Sequence, residues 1–287
     1  METELLQAVT SGLLLGLIYS LVAVGLTLIW GVMDIVNFAH GDFMMLGMYT
    51  SYVLYTYFHL DPLLSIPFAG GFLFLVGVVT YRTIIKRILD APMLVQIFTT
   101  FGLMILLRYI VFFFFKPDYR SIGKTILSGN IKFLGVYVGI PEAVAAFGAL
   151  LTTGIIYWLI NHTKVGGAIT ATSENRDAAQ LMGINPDRVF SLTWGIGGAA
   201  AGIAGALLSN FFYIFPEVGG VFGLTAFVVV CFGGFGNIHG AFFAGLIVGL
   251  IESLGGYVAP PEYKQLFVFS LFIFVLWLRP RGLLGVA

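Results

Sequence analysis

The sequence predicts an all-α, polytopic transmembrane helical bundle of eight or nine spans, and three observations predict it. Hydrophobic residues make up 59% of the 287 and charged residues only 10%, where soluble domains carry roughly 25% charge. The apolar runs are long and unalternated, as in Gly12 to Met33, which holds no charge. A membrane β-barrel would instead show short segments of alternating polarity. Glycine at 37 residues and phenylalanine at 28 suit helices packed in lipid rather than a globular core.

Spans fall near 11–33, 38–58, 63–81, 92–115, 135–160, 189–211, 218–236, 239–258 and 264–278, each close to the ~20 residues a bilayer needs. Glu2 and Glu4 precede the first with no Lys or Arg, so it reads as a retained span rather than a cleavable leader. The seventh is the weakest. Its Gly219-Gly220 and Gly233-Gly234 pairs also suit a broken or re-entrant helix, which would leave eight spans. Small residues four apart (Gly12/Gly16, Gly198/Gly202, Ala201/Gly205, Gly245/Gly249) let backbones approach closely where lipid offers no hydrophobic drive. The glycine-rich sixth span has two uses open to it, packing or lining a pore. No internal repeat is visible, so residues 1–287 read as a single transmembrane domain.

Basic residues orient the stack. Arg82, Lys86 and Arg87 follow span three; Lys164, Arg176 and Arg188 follow span five; Arg279 and Arg281 follow the last. With nine spans these clusters share one side, the cytoplasm, with the C-terminus there and the N-terminus outside. The 116–134 connection dissents, carrying Lys116, Arg120, Lys124 and Lys132 on the outer side.

One polar stretch, the cytoplasmic loop 161–188, interrupts the membrane pattern. Within it Ser173 to Pro186 reads as a short helix: Ser173 caps, Glu174 and Asp177 sit at the positive dipole end, and Gly183 and Pro186 stop it. Nine residues rise only ~14 Å, too little to cross a bilayer. Ala178, Leu181 and Met182 recur on one edge and make it apolar. Such a helix is suited to docking with something soluble.

Other chemistry is missing. Ile122-Gly123-Lys124-Thr125 resembles the end of a phosphate loop, but Asp118 stands where its first glycine belongs. His40, His59, His162 and His239 lack metal-ligand spacing. Cys231 is the one cysteine, which excludes an internal disulfide. A formal charge of zero gives no argument for nucleic acid. Asn161-His162-Thr163 fits a glycosylation acceptor but falls on the cytoplasmic side.

Polar groups inside the membrane are therefore the remaining functional candidates. Asp34 to Asp42 joins the first two spans. It is either a short solvated turn or a broken segment lining a cavity, with Asn37, His40, Gly41 and Asp42 near solute or gate. Gln96, Thr99 and Thr100 in span four suit a path for a neutral or zwitterionic solute, and suit helix–helix hydrogen bonds equally. Arg108 and Glu252 lie at similar depth in spans four and eight, so either they pair or Arg108 snorkels outward while Glu252 lines a wet cleft.

Several stretches then resemble one known family. They are Gly16-Leu17-Ile18-Tyr19-Ser20-Leu21 with Gly31-Val32-Met33, Asn37-Phe38-Ala39-His40-Gly41-Asp42-Phe43-Met44-Met45-Leu46-Gly47, and Glu174-Asn175-Arg176-Asp177-Ala178-Ala179-Gln180-Leu181-Met182-Gly183-Ile184. The glycine-rich run through Gly205, Phe232-Gly233-Gly234-Phe235-Gly236-Asn237, Gly240-Ala241-Phe242 and Leu250-Ile251-Glu252-Ser253 follow in the family's order. The chain is similar to the LivH-type permease subunits of branched-chain amino acid ABC importers. The resemblance implies an inner-membrane, multi-pass transport subunit that is not an enzyme. Its implied partners are a homologous second permease, two cytoplasmic ABC ATPases that carry ATP and Mg, and a periplasmic binding protein. Residues 174–184 would be the coupling helix that docks on an ATPase. The alternative without an ATPase is a channel for urea, short amides or a similar small neutral solute.

Overall fold

The computed structural model describes residues 2–123, 125–133, 135–279 and 282. Lys124 and Arg281, counted above among the basic residues, lie outside the described residues. Each of the nine apolar segments holds a helix: α1 (Glu2–Met33), α2 (His40–Phe58), α3 (Pro62–Thr83), α4 (Met93–Phe115) and α5 (Ile140–His162). Two helices outside the apolar set come next, α6 (Lys164–Glu174) and α7 (Arg176–Leu181), then α8 (Pro186–Leu208), α9 (Val218–Gly233), α10 (Ile238–Val258) and α11 (Lys264–Leu278).

Six of these are long and apolar enough to cross a membrane: α1, α3 with its following 3₁₀ turn, α4, α5, α8 and α10. That is fewer than the eight or nine spans expected. α9 and α11 are apolar but only 16 and 15 residues long, and α2 opens on His40, Gly41 and Asp42. The starts are set by local chemistry. Asp61 accepts from the Leu63 N–H at 3.0 Å ahead of Pro62, Asn185 accepts from Arg188 ahead of Pro186, and Asn237 accepts from Gly240.

The 116–139 connection holds an element not anticipated. An antiparallel hairpin pairs β1 (Asn130–Phe133) with β2 (Val136–Gly139), with Ile131 opposite Val138. Span five accordingly begins at Ile140 rather than 135. At 32 residues α1 is roughly 48 Å long, beyond the ~30 Å hydrocarbon core, and its first turns reach this hairpin. Gln7 donates to the Tyr137 carbonyl at 2.7 Å and accepts from the Tyr137 N–H at 2.8 Å.

Small residues make the closest helix contacts. α1 packs most extensively on α10, and α3 on α8. A Cβ added at Gly12 would lie 2.9 Å from the Gly249 carbonyl, and one at Gly16 would lie 2.9 Å from Leu246 Cα. On α8, Gly198 and Gly202 face Leu73 of α3, and Gly205 meets Met44 of α2. The sixth span is therefore a packing helix, enclosed by α1, α2, α3 and α5. α4 is peripheral, touching chiefly α2, with Phe98, Leu106 and Tyr109 exposed.

Candidate functional site

The polar loop is two helices rather than one. Thr163 caps α6 by accepting from the Gly166 N–H at 3.1 Å. Gly166 is needed there because a side chain would strike the Ile160 carbonyl. α6 buries Gly166, Ile169 and Thr172 at a helical period. Ile169 sits with Leu28 of α1 and Val189 of α8 in a small apolar cluster. Ser173 and Glu174 end α6, and Ser173 donates back to the Thr170 carbonyl instead of capping α7. The cap is Asn175, whose Oδ1 accepts from the Ala178 N–H at 2.9 Å. Ser173 loses because the chain is still helical through it.

α7 itself is short and anchored. Ala179 is its buried residue, and Arg176 lies over the Phe190 ring at 5.6 Å and pairs with Asp90 at 3.1 Å. Gly183, at φ +84°, stops it. Pro186 starts α8 rather than ending α7. Ile184 is half-buried, while Leu181 and Met182 are 89% and 83% exposed. Ala178, on the same edge, is exposed too. Asp187 accepts from Lys86 at 2.8 Å and from Tyr81 at 2.9 Å. These links to the 82–91 connection put the first two basic clusters on one face of the molecule.

The segment between α1 and α2 is broken. Asp34 adopts φ +53° and ends α1, and residues 34–37 have no regular structure. The Asn37 Oδ1 then accepts from the Ala39 N–H at 3.1 Å, and α2 starts inside the bundle. His40 is buried, its Nε2 3.0 Å from the Val22 carbonyl, and Val22 is roughly 16 Å along α1 from its end. Gly41 permits the close approach of α2 to α9: its missing side chain would collide with the Gly219 carbonyl, and the reverse addition at Gly219 would meet Asp42 Cα at 2.9 Å. Thr100 of α4 donates to the Val36 carbonyl at 2.8 Å and holds the extended stretch.

Of the two arrangements open to Arg108 and Glu252, the mutual pair does not form. Arg108 grips Asp42 side-on, Nε to Oδ1 at 3.2 Å and Nη2 to Oδ2 at 3.3 Å. Glu252 accepts from the Tyr19 hydroxyl at 2.6 Å and pairs with Lys264 at 2.9 Å. Arg108 and Glu252 lie at similar depth, yet α4 borders α2 while α10 borders α1 and α11. Asp42 comes within reach because α2 starts inside the bundle.

A cavity of about 270 Å³ opens between these elements. Of the candidate path residues, Asn37 and Gly41 line it, joined by Arg108, which had not been assigned to a path. Gly219, Gly220 and Gly223 contribute bare backbone. Their signal is in the sequence, since the Gly219-Gly220 pair suits a broken or re-entrant helix. Phe101, Met104, Leu224 and Phe227 form the apolar wall, with no polar pattern to announce them. The other candidates lie elsewhere. His40 and Asp42 are sealed by protein, Gln96 closes the 88–91 turn by donating to the carbonyls of Ile88, Leu89 and Ala91, and Thr99 donates to its own helix at Val95.

Residues 8–276 match the family described as branched-chain amino acid transport system / permease component. The chain is 30% identical to the high-affinity branched-chain amino acid transport system permease protein BraD of Pseudomonas aeruginosa, across 98% of this chain and 95% of that protein. It is 31% identical to the permease protein LivH of Escherichia coli over the same shares, 98% and 95%. It is also 31% identical to the probable branched-chain amino acid transport permease protein LivH of Methanocaldococcus jannaschii, over 93% and 88%. No solved structure matches the chain.

Proposed function

Because this chain belongs to the branched-chain amino acid transport system permease family, we propose that it is one of two permease subunits of a binding-protein-dependent ABC importer. It carries branched-chain or other neutral amino acids across a bacterial inner membrane by alternating access. The second permease is homologous, two cytoplasmic ABC ATPases bind and hydrolyse ATP with Mg, and a periplasmic binding protein delivers solute. This chain supplies no catalytic group. The relatives' substrate supports this reading over a urea or amide channel, which has no use for a docking helix.

One observation carries the docking role. Leu181 and Met182 stand 89% and 83% exposed at the tip of a helix fixed at both ends by Asn175 and Gly183. Apolar side chains held out beside charged neighbours are what a groove on a soluble partner would cover. Force on α7 would pass to α6, and from Ile169 to Leu28 and Val189, moving α1 and α8. In the proposed topology all nine apolar helices enter the membrane. The N-terminus is outside, and the C-terminus, α6 and α7 are in the cytoplasm.

The test is co-purification. Leu181→Asp and Arg176→Glu should insert normally, yet retain about tenfold less of the ATPases and lose solute uptake in proportion. Wild-type retention of the ATPases by both variants would remove the docking assignment.

A further inference from the structure

We propose that the cavity between α2, α4 and α9 is a half-site that reads the carboxylate of an aliphatic amino acid, through Asn37 Nδ2 and Arg108 Nη1. The inference rests on the importer reading and deepens it by naming the chemistry of one recognition site.

The donors are free and positioned. Asp42 occupies Arg108 Nε and Nη2, leaving Nη1 with no hydrogen bond to protein among the described residues. The Asp42 side chain is only 1% exposed and the Arg108 side chain 21%, so the acid fixes the guanidinium from behind while the cation faces the opening. Asn37 is 4% exposed. Its Oδ1 is taken by Ala39, and its Nδ2 donates to no protein atom among the described residues. Gly220 keeps the approach open, since a Cβ there would lie 3.2 Å from Arg108 Nη2.

Two donors with no exposed carboxylate beside them select for an acceptor-rich, anionic end of a ligand. The remaining side-chain wall (Leu26, Phe38, Phe101, Met104, Leu224 and Phe227) is apolar, and Met adapts to side chains of differing shape. At about 270 Å³ the space falls just below the ~300–1,000 Å³ of drug-sized pockets, which suits a solute of a few heavy atoms. Phe101 and Leu224 remain exposed at the mouth, where the second permease would complete the site.

The experiment uses the complete importer in proteoliposomes with leucine-loaded binding protein. Initial uptake is read together with binding-protein-stimulated ATP hydrolysis. Arg108→Gln alone strands Asp42, so the informative variants are Asn37→Ala and the charge-neutral pair Asp42→Asn with Arg108→Gln. Uptake should fall about tenfold or more in the pair and about threefold in Asn37→Ala, with stimulated hydrolysis kept within about twofold. Unchanged uptake in the pair overturns the site. So does a parallel loss of uptake and hydrolysis, which would make these residues supports of the fold alone. A wild-type complex without ATP-driven uptake would instead defeat the importer reading itself.

Discussion

Two of the stretches that interrupt the apolar helices, 34–42 and 163–186, spend their polar groups in opposite ways. In the inner break most polar groups past Asp34 are consumed by protein, His40 Nε2 by Val22, Asp42 by Arg108 and the Val36 carbonyl by Thr100, while Asn37 Nδ2 is left to the cavity. In the outer break the polar groups are used to shape the chain, Thr163 and Asn175 as caps and Arg176 as a tie to Asp90. What the outer break leaves exposed is apolar, Leu181 and Met182. The difference follows from the surroundings. Where no water reaches, each polar group needs a protein partner. Where water is present, polar groups are free to serve geometry, and apolar side chains are left for a partner to cover.

The largest expected effect lies in the inner break. Arg108→Gln strands the Asp42 carboxylate, and breaking a buried pair from one side costs about 3–5 kcal/mol. Thermal unfolding in detergent should show a large loss, most of it recovered when Asp42→Asn is added. A single variant as stable as the wild type would mean that water enters the inner break, and the contrast between the two would fail. A smaller effect is expected in the outer break, where Asn175→Ala removes a cap worth about 1 kcal/mol. A six-residue helix has little intrinsic stability, so hydrogen exchange at residues 176–181 should rise about fivefold while exchange in α8 stays unchanged.

Much of this architecture was legible in the residues. The nine apolar segments each hold a helix, and the glycines spaced four apart on α1 and α10 do meet. Depth is readable too, because every residue advances a helix by ~1.5 Å. Direction around the bundle is not. Arg108 and Glu252 share a depth, yet which helix borders which was absent from the pattern, so their partners Asp42 and Lys264 were missed. The hairpin was hidden because Val136, Tyr137 and Val138 extend the apolar run of the fifth span, and a four-residue strand is too short to show a period. Ser173 and Asn175 both satisfy the capping rule, and the burial of Ile169 and Thr172 shows that a first helix runs through Ser173. Thr163, followed by Val165 and Ile169 at helical spacing, was the available signal for that helix.

The smallest effect sharpens the contrast most. Arg176 and Asp90 form an ion pair whose side chains are 48% and 85% exposed, and such pairs are screened by solvent and salt. A double-mutant cycle with Asp90→Ala and Arg176→Ala should give a coupling of about 0.5 kcal/mol or less in thermal unfolding. The folded chain then loses little when Arg176 is replaced. Any large drop in ATPase retention caused by Arg176→Glu therefore has to arise at the surface that α7 presents, and not from damage to the bundle behind it. A coupling well above about 1 kcal/mol would instead make Arg176 part of the fold, and the variant would lose its value as a probe of docking. In that case Leu181→Asp, whose side chain projects into solvent, would carry the assignment alone.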